Sequence, residues 1–143
     1  MIICSIGHGY LASFLFKELC SLGILGLGIS SKDTFASNSL DNFKIFNRSE
    51  VKNAISYSTH LLVTAPSNKN GCPVFNNYFS LIAKSNIKSI TYISTTGVYG
   101  NHDGGTVNEG SLLKARYASD RYRILAEGQW SNFSKNNNSI LNI

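Results

Sequence analysis

Cysteine is scarce in this chain, and its placement excludes a disulfide framework. Cys4, Cys20 and Cys72 are odd in number and widely spaced, and no C-x-x-C occurs. Reduced thiols in a cytoplasmic protein are the expected state. Histidine is equally sparse. His8, His60 and His102 share no metal-ligand spacing with each other or with the cysteines, so no metal site is expected. No apolar run reaches the ~20 residues of a membrane span. The opening "MIICSIGHGY" has no basic leader and is soon interrupted by glycine, so it reads as a buried strand rather than a signal peptide. Charged residues make up only 15% of the chain, with a net charge of +5. No dense Lys/Arg block appears, nor the aromatic–basic alternation of single-strand binders, so nucleic acid is not the expected partner. The diffuse excess reads as a solvated surface that favours anionic ligands.

What is present is a hydrophobic fraction of 43% over 143 residues, enough for one buried core and a single domain, 1–143. Short apolar runs alternate with helical periodicity. Strands are predicted at 1–6, 24–30, 43–47, 60–67 and 89–94, with "ILNI" at 140–143 beginning a sixth. The second is weakened by two internal glycines, and the fourth is stopped by Pro66. A helix over 10–23 carries Leu11, Phe14, Leu15, Leu19 and Leu22 at helical spacing and is closed by Gly23. Further helices are predicted at 49–58, with Ser49 as N-cap, at 74–85, with Phe75, Phe79 and Ile82 on one side, and over 114–127. The polar stretch 134–139 reads as a turn. Strands alternating with helices predict an α/β protein with a parallel sheet covered on both faces, in three layers.

Residues 7–12 read G-H-G-Y-L-A and fit G-x-G-x-x-G/A. The pattern alone is weak, but it follows the first strand directly and opens the first helix, the context in which it binds dinucleotides. Gly7 would allow the tight turn, Gly9 the approach of a pyrophosphate, and Ala12 close packing of helix on strand. Amides at the helix N-terminus, around His8, Tyr10 and Leu11, would face the phosphates. A plain turn requiring small residues is the alternative. An NAD site usually carries an acid at the end of the second strand for the ribose diol. Here Ser30, Ser31 and Lys32 stand there, and Asp33 lies beyond. Two hydroxyls and an ammonium suit a 2′-phosphate better, so NADP is expected over NAD.

After the fifth strand comes S-T-T-G-V-Y-G, residues 94–100. With the N-terminal glycine motif, this string resembles the extended short-chain dehydrogenase/reductase family, which includes NAD(P)-dependent epimerases and dehydratases. The following "NHDGGTVNEG" looks like its atypical, epimerase-like branch. The resemblance implies a Rossmann-type doubly wound sheet, a bound nicotinamide dinucleotide, and hydride transfer to or from a carbonyl or nucleotide-sugar substrate. It gives Thr95, four residues before Tyr99, the role of bonding the reacting oxygen, with Ser94 and Thr96 as alternatives. It also implies that Thr64, Ala65 and Pro66 line the cofactor cleft. For each of these the bland alternative is a strand terminus whose hydroxyls bond backbone.

The family continues with Tyr-x-x-x-Lys on a helix, where lysine lowers the tyrosine's pKa for proton transfer. No such pair follows Tyr99 here. Two registers are possible. Tyr117 and Arg121 supply a tyrosine and a cation. Alignment on Glu127, the helical glutamate of the family, gives Ser119 and Arg123 instead. On a helix whose apolar stripe centres on Ala118, Tyr122 and Leu125, the two pairs fall on flanks about 160° apart, so only one can face the cofactor. Ala126-Glu127 favours the Ser119/Arg123 register, in which the tyrosine is missing. Arginine is also a poor stand-in for lysine, since it does not share protons.

The chain resembles the cofactor half of the family without its substrate region. A gene fragment, one piece of a split protein and a shortened form are all compatible with this. A sheet cut short would leave an edge inviting dimerisation or association with a missing half. Two functions follow: a shortened NADP-dependent enzyme, or a catalytically inactive binding module acting as a redox sensor or interaction domain.

Overall fold

The computed structural model describes residues 1–30 and 42–143. Six strands form one sheet: β1 (Ile2–Ile6), β2 (Leu25–Ile29), β3 (Phe43–Phe46), β4 (His60–Val63), β5 (Ser89–Tyr92) and β6 (Ile140–Asn142). Their order is β3-β2-β1-β4-β5-β6, and every pairing is parallel. The chain builds outward from β1 to β3, then returns to the other side of β1. That reversal makes the β1/β4 boundary the switch point of a doubly wound sheet, and a crevice opens there at the carboxyl ends of the strands.

Helices α1 (Tyr10–Ser21), α2 (Val51–Tyr57), α3 (Pro73–Ala83) and α4 (Ala118–Asn137) cover the sheet. Strand alternation divides the core. Cys4, Ile6, Leu61, Val63, Ile90 and Tyr92 point to one face, where α2, α3 and α4 bury Ile55, Ile82 and Trp130 against them. Ile3 and Leu62 point to the other, where α1 packs through Ala12 and Phe16. The three-layer expectation is met by α1 on one side and α2–α4 on the other, among the described residues.

The buried face of α1 differs from the predicted one. Ala12 and Phe16 are buried, whereas Leu11, Phe14, Leu15 and Leu22 are exposed. The reason lies in β2. A Cβ on Gly26 would stand 2.3 Å from the Phe16 ring, and one on Gly28 would stand 2.9 Å from the His8 ring. The two glycines expected to weaken this strand instead clear space for a cluster of His8, Phe16 and Phe43, with ring centroids 4.8–5.4 Å apart. The helix ends as predicted. Gly23 has φ +72°, its N–H donates to Cys20 O, and the Ile24 N–H donates to Leu19 O.

Three further boundaries shift. Asn47, not Ser49, caps the segment after β3: its Oδ1 accepts from the Ser49 N–H at 3.0 Å, a 3-10 turn spans Arg48–Glu50, and α2 starts at Val51. Residues 114–117 precede α4, with Tyr117 at its N-cap. At the other end α4 runs through the asparagines to Asn137, where the Asn137 side-chain amide donates to Phe133 O at 2.8 Å. It stops at Asn138, in the left-handed region with φ 50°.

Candidate functional site

A cleft of about 730 Å³ opens at the carboxyl ends of β1, β2 and β4. The turn from β1 into α1 forms its floor. Gly7 has φ +92°, and a Cβ there would lie 2.5 Å from the Ala65 backbone nitrogen. Conformation and contact therefore both require glycine. Thr64 Oγ1 donates to Gly7 O at 2.6 Å and locks the end of β4 to this turn. Gly9 is the N-cap of α1, and a Cβ there would meet nothing nearer than Gly7 O at 3.7 Å, so the space beside it is open. The Ser13 N–H makes the first helical bond, to Gly9 O at 2.9 Å. The amides of Tyr10, Leu11 and Ala12 precede it and have no acceptor inside the helix. Open space beside a glycine cap and free first-turn amides fit a pyrophosphate.

His8 is turned inward beneath the loop and is 3% exposed. Its Nε2 lies 3.3 Å from Ser13 Oγ, and its ring packs against Phe16 and Phe43. Burial lowers its pKa from the ordinary value, so the imidazole is neutral at physiological pH. His8 is among the residues lining the cleft, but its N–H donates to Ile29 O at 2.8 Å rather than facing a phosphate, and its side chain serves the core. Tyr10 stands at the mouth, 82% exposed, its ring 4.8 Å from Phe14. Ala12 is fully buried against the sheet, and Leu11 is on the outside of α1.

Ser30 lines the cleft at the end of β2 and is buried; Ala65 and Pro66 line it from the end of β4. Ser31 and Lys32 lie outside the described residues. Arg48 also lines the cleft, and sequence reasoning passed over it because it read only the end of β2. The signal was in the topology. Ile29 pairs with Phe46, and the Ser30 N–H donates to Phe46 O at 3.1 Å, so residues just after β3 lie beside residues just after β2.

The β5 end is a separate assembly, and none of its residues lines this cleft. Thr95 Oγ1 accepts from the Gly97 N–H at 3.2 Å and caps the 3-10 turn Thr96–Val98. Ser94 Oγ donates to Glu127 Oε1 on α4. Arg123 Nη1 donates to Tyr92 OH at 3.0 Å and to Ile93 O at 2.8 Å, with its guanidinium 5.5 Å from the centre of the Tyr92 ring. Burial raises the Tyr92 pKa and Arg123 opposes the rise in part, so the phenol stays protonated. Ser119 is exposed on the first turn of α4. Tyr117 is 64% exposed at the N-cap, outside the helix proper. The cation over its ring is Arg116, at 5.8 Å, while Arg121 donates to Arg116 O at 2.8 Å.

The remaining chemistry is muted. Burial pushes the Cys4 thiol up to about 12 and raises that of Cys20. Among the described residues no group of three or more His, Cys, Asp or Glu is placed to hold a metal, and no helix is long and apolar enough to cross a membrane. A second concavity, about 450 Å³ and mainly apolar, lies by Leu25, Phe43 and Tyr57, away from the strand ends that form the switch-point crevice.

No protein-family model matches this sequence. No curated protein matches it either. Solved structures do. A functionally unknown conserved protein from Silicibacter pomeroyi DSS is 30% identical with a TM-score of 0.82, over 90% of this chain and 47% of that one. A short-chain dehydrogenase/reductase superfamily protein from Agrobacterium tumefaciens, with bound NAD, is 11% identical with a TM-score of 0.77, over 99% of this chain and 47% of that one. A UDP-glucuronic acid 4-epimerase from Bacillus cereus in complex with NAD is 15% identical with a TM-score of 0.77, over 99% of this chain and 55% of that one. The chain has a Rossmann-type fold. It spans about half the length of these structures.

Proposed function

We propose that this chain binds a nicotinamide dinucleotide at the β1/β4 crevice and is a member of the extended, epimerase-like short-chain dehydrogenases/reductases. The observation that carries the reading is the glycine turn: a positive-φ Gly7 pressed on the β4 backbone, followed by an unobstructed Gly9 at the start of α1. NAD bound to similarly folded proteins supports it. NADP is the favoured cofactor, with Ser30, Ser31 and Lys32 near the 2′-phosphate. If active, the chain would transfer hydride to or from a carbonyl or nucleotide-sugar substrate, with Thr95 orienting the oxygen and Ser119/Arg123, or Tyr117/Arg121, in the acid–base position. The test is calorimetric titration of the purified chain with NADP+ and NAD+. Saturable micromolar binding is expected, and its absence for both would sink the reading.

One observation favours a second reading, a dinucleotide-binding module without catalysis. The Arg123 guanidinium is engaged by Tyr92 and Ile93, and Thr95 Oγ1 by a backbone amide. Cofactor oxidation across a carbonyl and nucleotide-sugar panel, abolished by Thr95→Ala, would overturn this second reading.

A further inference from the structure

We infer that Arg48, reaching the cleft from the end of β3, is the residue that selects a 2′-phosphorylated dinucleotide. This rests on the dinucleotide reading of the cleft and adds to it a specificity residue from a different strand. The cleft is lined by glycines, apolar and aromatic side chains, a few neutral polar groups and, among the described residues, one charged residue, Arg48. No carboxylate lines it among those residues. A bare adenosine ribose presents two hydroxyls, which a carboxylate accepts from in bidentate fashion; a guanidinium offers that diol only donors. A phosphate monoester reverses the match. It is dianionic near neutral pH and presents oxygens to which a planar fork donates two parallel bonds.

Position agrees with chemistry. The parallel register sets Phe46 beside Ile29, and the Ser30 amide bonds to Phe46 O, so the turn bearing Arg48 flanks the end of β2. That end is where the ribose lies in a dinucleotide held by the β1 glycine turn. Asn47 fixes the turn: its side chain accepts from the Ser49 amide and pins the backbone on either side of Arg48. The Arg48 side chain is itself exposed, and no hydrogen bond or ion pair to a described residue holds it elsewhere. A guanidinium on a fixed turn, facing a cleft in which no described residue supplies a competing acid, is placed to receive an anion.

The experiment compares binding of 2′,5′-ADP, 5′-AMP, NADP+ and NAD+ to the wild-type chain and to Arg48→Gln, Lys32→Gln and Lys135→Gln. The last carries the same charge change on the far end of α4. For Arg48→Gln we expect roughly a 10- to 100-fold loss of affinity for 2′,5′-ADP and NADP+, the scale of one charge-assisted bidentate contact. Affinity for 5′-AMP and NAD+ should stay within about twofold, and Lys135→Gln should leave all four ligands unchanged. Equal weakening of phosphorylated and unphosphorylated ligands would overturn the assignment. So would a preference that vanishes in Lys32→Gln and survives in Arg48→Gln. A wild-type chain that binds none of the four would overturn the dinucleotide reading itself. Dinucleotide binding without an Arg48-dependent preference would overturn the Arg48 assignment alone.

Discussion

Gly7 is constrained twice, by a backbone conformation that disfavours a side chain and by the Ala65 backbone occupying the space a Cβ would need. Gly7→Ala should therefore destabilise the fold by about 2–4 kcal/mol, read from urea denaturation, and abolish dinucleotide binding in whatever fraction stays folded. Arg123 makes the opposite case. Its bonds to Tyr92 OH and Ile93 O tie α4 to the end of β5. Arg123→Met should lower stability by roughly 1–3 kcal/mol while leaving NADP+ affinity within about twofold. A large affinity loss without destabilisation would return Arg123 to the cofactor. His8 adds a pH dependence. Burial holds its pKa below the ordinary 6.5, so the unfolded chain takes up a proton at a pH where the folded chain does not. Its contribution is intact above about 6.5 and declines as the pH falls through that value. His8→Phe, which can keep the contacts with Phe16 and Phe43, should flatten the melting temperature between pH 7 and 5 relative to wild type.

Between elements, one side chain holds α3, α4 and the β4–α3 loop together. Gln129 on α4 accepts from the Cys72 amide at 2.8 Å and donates to Asn70 O and Asn76 Oδ1 at 3.1 and 2.9 Å. Gln129→Ala should cost roughly 1–2 kcal/mol and speed hydrogen exchange at the Cys72 amide. Unchanged protection at that amide would show the clamp to be idle. Nothing in the sequence marks this clamp, because its partners lie over fifty residues away. The alternation of strands and helices was legible, since each strand is a short apolar run bounded by a turn residue. The buried side of α1 was legible only at Ala12, which the glycine motif sets against the strand; periodicity of the large residues missed Phe16, because the space it fills is cleared by the two β2 glycines through their lack of bulk. The helical asparagines were misjudged as well. The run of asparagines reads as a turn by propensity, whereas α4 continues through it and stops at Asn138, a residue type that accepts the left-handed conformation ending the helix. At the candidate site the glycine turn could be read from local spacing, but Arg48 required knowing that β3 lies beside β2.

At the scale of the whole molecule, the sheet order brings the first strand to the centre and gathers the glycine turn, the β4 terminus and the β3 turn at one end. A ligand bridging them ties separate segments of the chain together and should stabilise all of them at once. NADP+ at a hundredfold its Kd should add about 2.7 kcal/mol, and a melting transition should rise by roughly 8 °C. A transition that does not move with NADP+ concentration would argue against binding to the native state. The same molecule contains its own optical gauge. Trp130 is the single tryptophan, fully buried between Phe75, Phe133 and the sheet. Its indole emission should be blue-shifted in the native chain and move to the red when the α2–α4 layer separates from the sheet. It lies on the face opposite α1, and it does not line the cleft. Excitation transferred from Trp130 to a bound reduced nicotinamide would then report occupancy directly, without a label and without altering a cleft residue.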